Sequence, residues 1–276
     1  MKQRKKMAKI SVTELEKKAK QARRILIEMM HQSNIVAHLG GSFSAMDLAV
    51  AVYAMFISDL NAPGRSRLIL SKGHVAVMAY AILYSYGCVK EDEFCTLKQL
   101  NSRLQGHPDI NKIPEMEMNT GLLGQGLAVA MGMAYGRKLT GNTHKVFALC
   151  GDAELHEGQI WETAQQAAHF KLDNLVAIID CNKLSSHDPV DEVINLGSLQ
   201  DKFSAFGWDA RIIKDGNDMQ QIFDAFEGLS QTYEKPVVFI AHTIKGKGVS
   251  LFENNPDSHS ITLNGASYQK ALAELS

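Results

Sequence analysis

Apolar residues recur at helical spacing through the first part of the chain. The spacing predicts an amphipathic helix over residues 12 to 32. A loop at residues 38 to 41 follows. Ser44, with Asp47 three residues on in a box-like position, is then expected to cap a helix that is apolar nearly all round and ends near Ile57. Residues 90 to 115 are polar and irregular, and loops of this length within a domain are usually functional.

The second half alternates short apolar runs with helical patterns. Strands are predicted at 67–71, 146–150, 175–181, 209–213 and 236–242, and helices at 156–170, 198–206, 219–229 and 267–275. This alternation predicts an α/β fold in which a parallel sheet carries helices on both faces. Ligands bind such sheets outside the carboxyl ends of the strands. We expect one domain over residues 1–276, with a helical extension at its N-terminus.

Composition excludes several classes of partner. Of 276 residues, 45% are hydrophobic and 21% charged, which is ordinary for a soluble globular protein. A net charge of -1 gives no reason to expect nucleic acid or a membrane surface as a partner. No apolar run is long enough to cross a bilayer. The basic start, Lys2 to Lys6, lacks the apolar core of a signal peptide, so we expect a solvated tail.

The cysteines point to a reducing compartment. Cys88, Cys95, Cys150 and Cys181 show no paired metal-ligand spacing, and the last two fall in predicted buried strands. We therefore expect reduced core or near-core thiols in a cytoplasmic protein.

Two polar residues follow neighbouring predicted strands. Asp152 and Asn182 are separated by about thirty residues, the length of one strand–helix–strand unit. Their carboxylate and amide oxygens are ligands that Mg²⁺ prefers, and the following helix, expected after His156, would favour a diphosphate at its N-terminus. Taken singly, the aspartate is also typical of a helix cap and the asparagine of a turn.

The motifs around these two residues resemble those of a known family. Gly-Asp-x followed by Asn resembles the thiamine diphosphate motif, and the run Gly151 to Glu162 resembles the amino-terminal half of transketolases. The resemblance covers nearly the whole chain. Its further matching segments are His38–Ser42, Leu70–His74, Gly106–Pro108, Thr120–Gly126, Lys245–Gly248, Glu253–Pro256 and His259. It implies a thiamine diphosphate-binding fold.

The resemblance assigns roles to the cofactor residues. It implies that Asp152, Asn182 and the carbonyl of Leu184 ligate Mg²⁺, or Ca²⁺ or Mn²⁺ in its place. The residues implied to contact the cofactor are His74, Gly121, Leu122, Leu123, Ala153, Asn182, Lys245 and His259, with Glu157 at the interface between two cofactors. The family usually has glycine where this chain has Ala153. The added methyl group could crowd the diphosphate, and we expect reduced or retained binding rather than loss.

The same resemblance implies catalytic histidines. His38, His107 and His259 are expected to face the reacting sugar, with His74 beside them. Histidine suits such work because its pKa lies near neutrality. His31, His144, His156, His187 and His242 lack a matching motif, and we expect structural roles for them.

A transketolase needs a second domain that holds the aminopyrimidine ring. The chain ends at Ser276, where that domain would begin, so we expect a split enzyme. Its partner would be a C-terminal transketolase subunit carrying the pyrimidine domain, with two copies of each chain and sugar phosphates as substrates. The expected reaction moves a two-carbon ketol unit from a ketose phosphate to an aldose phosphate.

Two alternatives stay open. One is the alpha-like subunit of a 2-oxo acid decarboxylase or dehydrogenase, which shares the metal motif. The other is a cofactor-binding subunit without activity, for which Ala153 is the single hint. A deoxyxylulose phosphate synthase is less favoured, because that family typically differs in the Thr120 to Gly126 loop.

Overall fold

Five parallel strands form the centre of the structure, a computed structural model that describes residues 10–231 and 234–276. Their order across the sheet is β1-β2-β3-β5-β4, and every neighbouring pair is parallel. The strands are β1 (Arg67–Leu70), β2 (Val146–Gly151), β3 (Leu175–Cys181), β4 (Asp209–Ile213) and β5 (Val237–His242). The predicted parallel α/β sheet is therefore confirmed. The basic start of the chain lies outside the described residues.

Helices connect and cover the strands. They are α1 (Val12–Ser33), α2 (Leu39–Ser44), α3 (Met46–Phe56), α4 (Ala76–Tyr84), α5 (Gln125–Leu139), α6 (Gly158–His169), α7 (Val190–Val193), α8 (Leu199–Ala205), α9 (Met219–Glu227) and α10 (Gly265–Glu274). Short 3₁₀ helices lie at Gly73–Val75, Glu91–Thr96, Pro114–Met116, Ala153–His156, Gly228–Gln231 and Pro256–His259. In the described part of the chain, no helix is long and apolar enough to cross a membrane.

Successive residues along each strand point alternately into two hydrophobic cores. Leu68 and Leu70 of β1 point into the core formed with α1, α3, α4 and α9, whereas Ile69 points into the core formed with α5, α6 and α8. Both faces of the sheet are thus covered by helices, as predicted. This double burial explains why the central strands are almost continuously apolar.

The region around Ser44 differs from the sequence prediction. Residues expected to form a loop make α2, and α3 begins after Ala45, which makes no side-chain capping bond. The Ser44 hydroxyl instead donates to the buried carboxylate of Asp180 at 2.6 Å. Asp47, expected in a capping position, accepts a buried two-pronged ion pair from Arg23. The capping prediction was wrong because both side chains bind distant partners.

The cysteine expectation is confirmed for the strands. Cys150 and Cys181 are buried in β2 and β3, whereas Cys88 is half-buried and Cys95 is exposed, so Cys95 is not a core residue. All four thiols are free.

The carboxyl ends of three adjacent strands meet at one edge of the sheet. Gly151 at the end of β2 lies opposite Asp180 of β3, and Cys181 lies opposite His242 of β5. The segments that follow these strands therefore start side by side. This is the geometric reason that Asp152, Asn182 and the Lys245 loop converge.

Candidate functional site

Asp152 and Asn182 lie together just beyond β2 and β3. One carboxylate oxygen of Asp152 accepts the backbone N–H of Ala153 at 2.8 Å, and the other accepts that of Lys183 at 2.6 Å. The Oδ1 atom of Asn182 accepts the N–H of Leu184 at 3.1 Å. Asp152 is thus a cap and Asn182 a turn residue, which leaves lone pairs on both side chains for a cation.

Burial sets the charge state of Asp152. Its removal from water raises the pKa of Asp152 to about 6, and the nearby negative charge of Asp180 acts in the same direction. The two backbone donors and Lys72 oppose this rise in pKa only in part. A bound cation would offset this cost of burying the negative charge of Asp152.

The segment after Asp152 differs slightly from the predicted helix. A 3₁₀ turn, Ala153–His156, precedes α6, which begins at Gly158. Ala153 is not among the non-glycine residues with positive φ, so its backbone does not require glycine. Its side chain packs against the core on the α5 and α6 side of the sheet.

Glu154, within this turn, forms hydrogen bonds that link three neighbouring segments. Its carboxylate is buried and accepts the hydroxyl of Ser71 at 2.5 Å, the N–H of Gly124 at 2.8 Å and the N–H of Gly151 at 3.1 Å. Burial raises the pKa of Glu154, while these donors act against the rise. The ends of β1 and β2 and the start of α5 are thereby tied to one side chain.

Lys245 brings a buried cation to the same place. Its side chain is only 1% exposed, and its ammonium group donates to the backbone carbonyls of Ser185 at 2.5 Å and Ser186 at 3.2 Å. In the described part of the chain it forms no ion pair with a carboxylate. Burial and the charge of Lys72 lower the pKa of Lys245 to about 8.

Four histidines from separate segments form a cluster beside this lysine. The ring of His38 lies 5.2 Å from His74, 5.1 Å from His259 and 6.5 Å from His107, measured between centroids. His74 lies 5.8 Å from His259. The four histidines singled out from the motifs are therefore brought together.

The cluster favours neutral imidazoles. Burial, followed by neighbouring positive groups, lowers the pKa of His38 and of His259 to about 4. Burial also lowers the pKa of His74, strongly, and that of the less buried His107. At neutral pH each ring therefore carries one donor and one acceptor nitrogen.

A cavity of about 230 Å³ lies beside Lys245, His74 and His259, whereas His38 and His107 do not line it. Its lining includes Asp152, Ala153, Asn182, Lys245 and His259, with further walls from Gly41, Lys72, His74, Leu123 and Leu184. Most residues expected to contact the cofactor thus face one space.

Leu122 and Gly121 do not line this cavity. Leu122 is 79% exposed and Leu123 37%, and Leu123 alone of the pair reaches the cavity wall. Gly121 instead packs beside His107, whose ring would lie 3.2 Å from an added Cβ. The buried hydroxyl of neighbouring Thr120 has no hydrogen-bond partner among the described residues.

Glu157 is exposed at the N-terminus of α6 and does not reach the cavity. Its Cβ lies only 2.7 Å from where a Cβ on Gly124 would stand, so it packs against the turn that begins α5. Gly124 has a φ of 81°, a conformation that glycine adopts without strain.

Three residues at the site were not assigned to it from the sequence. Lys72 and Asp180 form a buried ion pair beneath Asn182. The exposed His187 lies with its ring 6.0 Å from His259, although a structural role was expected for it. Pro189 marks the loop of His187, and that signal could have identified it. By contrast, His31 stacks on Tyr268, which fits its expected structural role.

Comparison with known proteins identifies the family. The profile described as "Transketolase, thiamine diphosphate binding domain" matches residues 15–275. One chain of the apulose-4-phosphate transketolase from Phocaeicola vulgatus is 36% identical over 271 residues, covering 97% of this chain and 95% of the relative. A 6-deoxy-6-sulfo-D-fructose transketolase subunit from a Clostridium species is 35% identical over 266 residues, covering 90% of this chain and 96% of that one.

A solved structure shares the fold. The transketolase of Campylobacter jejuni superimposes with a TM-score of 0.87 at 29% identity, over 97% of this chain. The present chain spans 43% of that longer protein. With its sheet, its histidine cluster and this match over almost its full length, the chain belongs to the transketolase family and contains that family's thiamine diphosphate-binding domain.

Proposed function

We propose that this chain is one subunit of a two-chain transketolase that transfers a two-carbon ketol unit from a ketose phosphate to an aldose phosphate. The observation that carries the proposal is the cluster of neutral histidines beside a cavity that is lined by Asp152, Asn182 and Lys245. Relatives of nearly the same length are named as transketolase subunits, which supports a division of the enzyme between chains.

The donor set fits a divalent cation. Asp152 and Asn182 supply hard oxygen atoms, and Leu184 lines the same cavity. In our proposal the carbonyl of Leu184 completes the protein share of the coordination. The raised pKa of Asp152 is consistent with a carboxylate that is stabilised when a cation binds. We assign Mg²⁺ to this position, with Ca²⁺ or Mn²⁺ as substitutes.

The same cavity also fits a diphosphate. Among the described residues, the ammonium group of the buried Lys245 donates hydrogen bonds only to carbonyl oxygens, and its positive charge favours an anion in the adjoining cavity. We propose that Lys245, His74, His259 and the backbone at Ala153 contact the diphosphate of thiamine diphosphate. Asn182 then approaches the same group through the shared cation.

The rings of the cofactor would extend toward the Thr120 to Gly126 loop. Gly121 permits a close approach of backbone, and Leu122 and Leu123 present apolar surface that excludes water. When bound, the thiazolium ring supplies the carbon that carries the two-carbon unit between the sugars. The high exposure of Leu122 fits a residue that a cofactor and a second chain would cover.

The histidines would act on the sugar. We propose that neutral His38, His107 and His259 hold the hydroxyl groups and move protons at the oxygen atoms that change charge. Their lowered pKa values leave an acceptor nitrogen on each ring at neutral pH. Their spacing allows one hydroxyl group to contact two rings.

The proposed partner is a C-terminal transketolase subunit with a pyrimidine-binding domain, and the proposed assembly has two copies of each chain. Glu157, exposed beside Gly124, would lie at the interface between two cofactors. We expect this assembly to work in the cytoplasm, where thiols such as Cys150 and Cys181 stay reduced.

Mixing the chain with its partner tests the proposal. The full chain, the candidate partner and their mixture are each given thiamine diphosphate, Mg²⁺, a ketose phosphate donor and an aldose phosphate acceptor. We expect ketol transfer only in the mixture. Apulose 4-phosphate and 6-deoxy-6-sulfo-D-fructose belong among the donors, because relatives are named for them.

The other outcomes separate the alternatives. Decarboxylation of a 2-oxo acid in place of ketol transfer would favour the 2-oxo acid enzyme. Cofactor binding without activity in any mixture would favour a subunit without catalysis. A His38→Ala variant that folds normally and transfers ketol units at the full rate would contradict the role of the cluster.

A further inference from the structure

Asp180 lies fully buried beneath the two proposed metal ligands. Its side chain is 0% exposed and accepts hydrogen bonds from Ser44, Lys72, Asn182 and Thr243. Its backbone carbonyl accepts the N–H of Asp152 at 3.3 Å. Asp180 thus touches Asp152 through the backbone and Asn182 through the side chain.

We propose that Asp180 is a positioning residue that turns the amide of Asn182 so that its oxygen, and not its nitrogen, faces the cation. This inference rests on the proposed role of Asn182 as a metal ligand. The amide nitrogen of Asn182 lies 3.2 Å from a carboxylate oxygen of Asp180 and 3.4 Å from the Ser44 hydroxyl oxygen.

The contacts of Asn182 define its orientation without ambiguity. An ionised carboxylate only accepts hydrogen bonds, so the atom of Asn182 that faces Asp180 must be the nitrogen. The N–H of Leu184 only donates, so the atom 3.1 Å away must be the oxygen. Turning the amide over would replace both hydrogen bonds by repulsive contacts. The oxygen keeps a second lone pair for a metal ion.

The Ser44 hydroxyl strengthens this arrangement. It donates to Asp180 at 2.6 Å, so its own oxygen is available to accept from the amide nitrogen of Asn182. Two acceptors therefore face that nitrogen on the side away from Leu184.

Because Lys72 is paired with Asp180, an experiment can separate the orientation of the Asn182 amide from the net charge of the site. Its ammonium group forms a buried ion pair with Asp180 and also donates to the carbonyl of Gly41 at 3.0 Å. The positive charge of Lys72 balances the negative charge of Asp180, so removing both side chains leaves the charge of the site unchanged. A variant lacking the pair therefore reports on the orientation of the amide.

The test replaces the ion pair in two backgrounds. The double substitution Lys72→Met/Asp180→Leu is made in the full chain, once with Asn182 kept and once together with Asn182→Asp. Binding of Mn²⁺ in the presence of thiamine diphosphate is measured from the electron paramagnetic resonance signal of the free ion. We expect about 10- to 100-fold weaker Mn²⁺ binding when Asn182 is kept. In the Asn182→Asp background we expect less than about threefold weakening, because a carboxylate presents an oxygen atom in either orientation.

Equal weakening in both backgrounds, or none when Asn182 is kept, would overturn the inference. An Asn182→Ala chain that binds Mn²⁺ like the unsubstituted chain would instead contradict the metal site itself. The two failures are therefore distinguishable.

A measurement on the unsubstituted chain avoids any dependence on folding of the variants. With ¹⁵N-labelled asparagine, and Asn182→Asp to assign the signal, we expect the side-chain amide hydrogens of Asn182 to exchange slowly in the metal-free protein. Rapid exchange would show that Asp180 does not hold the amide, and would overturn the inference.

Discussion

The carboxylate of Asp152 accepts the backbone N–H of Lys183 at 2.6 Å, which joins the end of β2 to the loop that carries Asn182. The two proposed ligands are thus held at a fixed separation before any cation binds. This preorganisation reduces the loss of side-chain entropy on binding. It also buries Asp152 beside Asp180, and that proximity disfavours its charge.

Asp152→Ala tests the metal assignment. We expect Mg²⁺-dependent binding of thiamine diphosphate to weaken by at least about 100-fold, since a ligand should matter more than its supporting residues. The metal-free variant should unfold at a similar temperature, because removal of a disfavoured buried carboxylate offsets the loss of its two hydrogen bonds from backbone N–H groups. Isothermal titration and thermal unfolding measure both effects. Asp201→Ala, at an exposed position, is the matched control. Unchanged affinity for thiamine diphosphate in Asp152→Ala would contradict the metal assignment.

Lys245→Met tests the diphosphate contact. We expect weaker binding of thiamine diphosphate but little change in binding of thiamine, which has no phosphate. Stability should be kept or increased, because burial lowers the pKa of Lys245 and so disfavours its charge. Lys247→Met on the same loop is the control, since that side chain pairs with Glu253 nearer the surface. Equal weakening for both ligands would point to a general disruption of the site.

Ala153→Gly tests the departure from the usual family motif. Because Ala153 does not have a positive φ, glycine gains no conformational advantage and should cost about 0.5–1 kcal/mol of stability. Affinity for thiamine diphosphate should stay equal or increase, since Ala153 lines the cavity and glycine is smaller. Titration calorimetry and denaturant unfolding give the two quantities. A clear loss of affinity would show that the methyl group helps to shape the site.

The histidine cluster predicts a pH dependence of stability. Because the folded pKa of His38 and of His259, about 4, lies below the ordinary value of 6.5, the unfolded chain binds more protons between these values. The contribution of these two histidines to stability is therefore complete above pH 6.5 and is lost as the pH drops toward 4. Urea unfolding at several pH values measures this trend. His38→Gln should flatten it, whereas the exposed His144→Gln should leave it unchanged; equal slopes in all three proteins would contradict the prediction.

Two glycines of α5 should respond oppositely to alanine. A Cβ on Gly126 would lie 2.5 Å from the Cα of Ser71, so Gly126→Ala should destabilise the protein by about 1–3 kcal/mol. A Cβ on Gly132 would meet nothing within 4 Å, so Gly132→Ala should stabilise it by about 0.5–1 kcal/mol. Denaturant unfolding of the isolated chain measures both. A loss of stability in Gly132→Ala would mean that another surface covers this helix face.

Local features of the sequence were sufficient for most elements. The strands at Leu175–Cys181 and Asp209–Ile213 lie where they were predicted. For Leu175–Cys181 the reason is a largely apolar run bounded by polar turns, which has few alternative structures. The prediction failed at Ser44, where a hydroxyl that could cap a helix binds Asp180 instead. Local propensity is weak compared with a buried charge-assisted hydrogen bond.

The sequence by itself determined that Asp152 and Asn182 follow neighbouring strands, because one strand–helix–strand unit separates them and parallel strands align their ends. Its motifs also singled out His38, His74, His107 and His259. Only the tertiary structure decided that these rings lie close to one another, that His187 lies beside His259, and that Asp180 with Lys72 supports Asn182. Periodicity reports on neighbours along a helix or strand, whereas contacts between residues far apart in the chain depend on how the helices pack against the sheet.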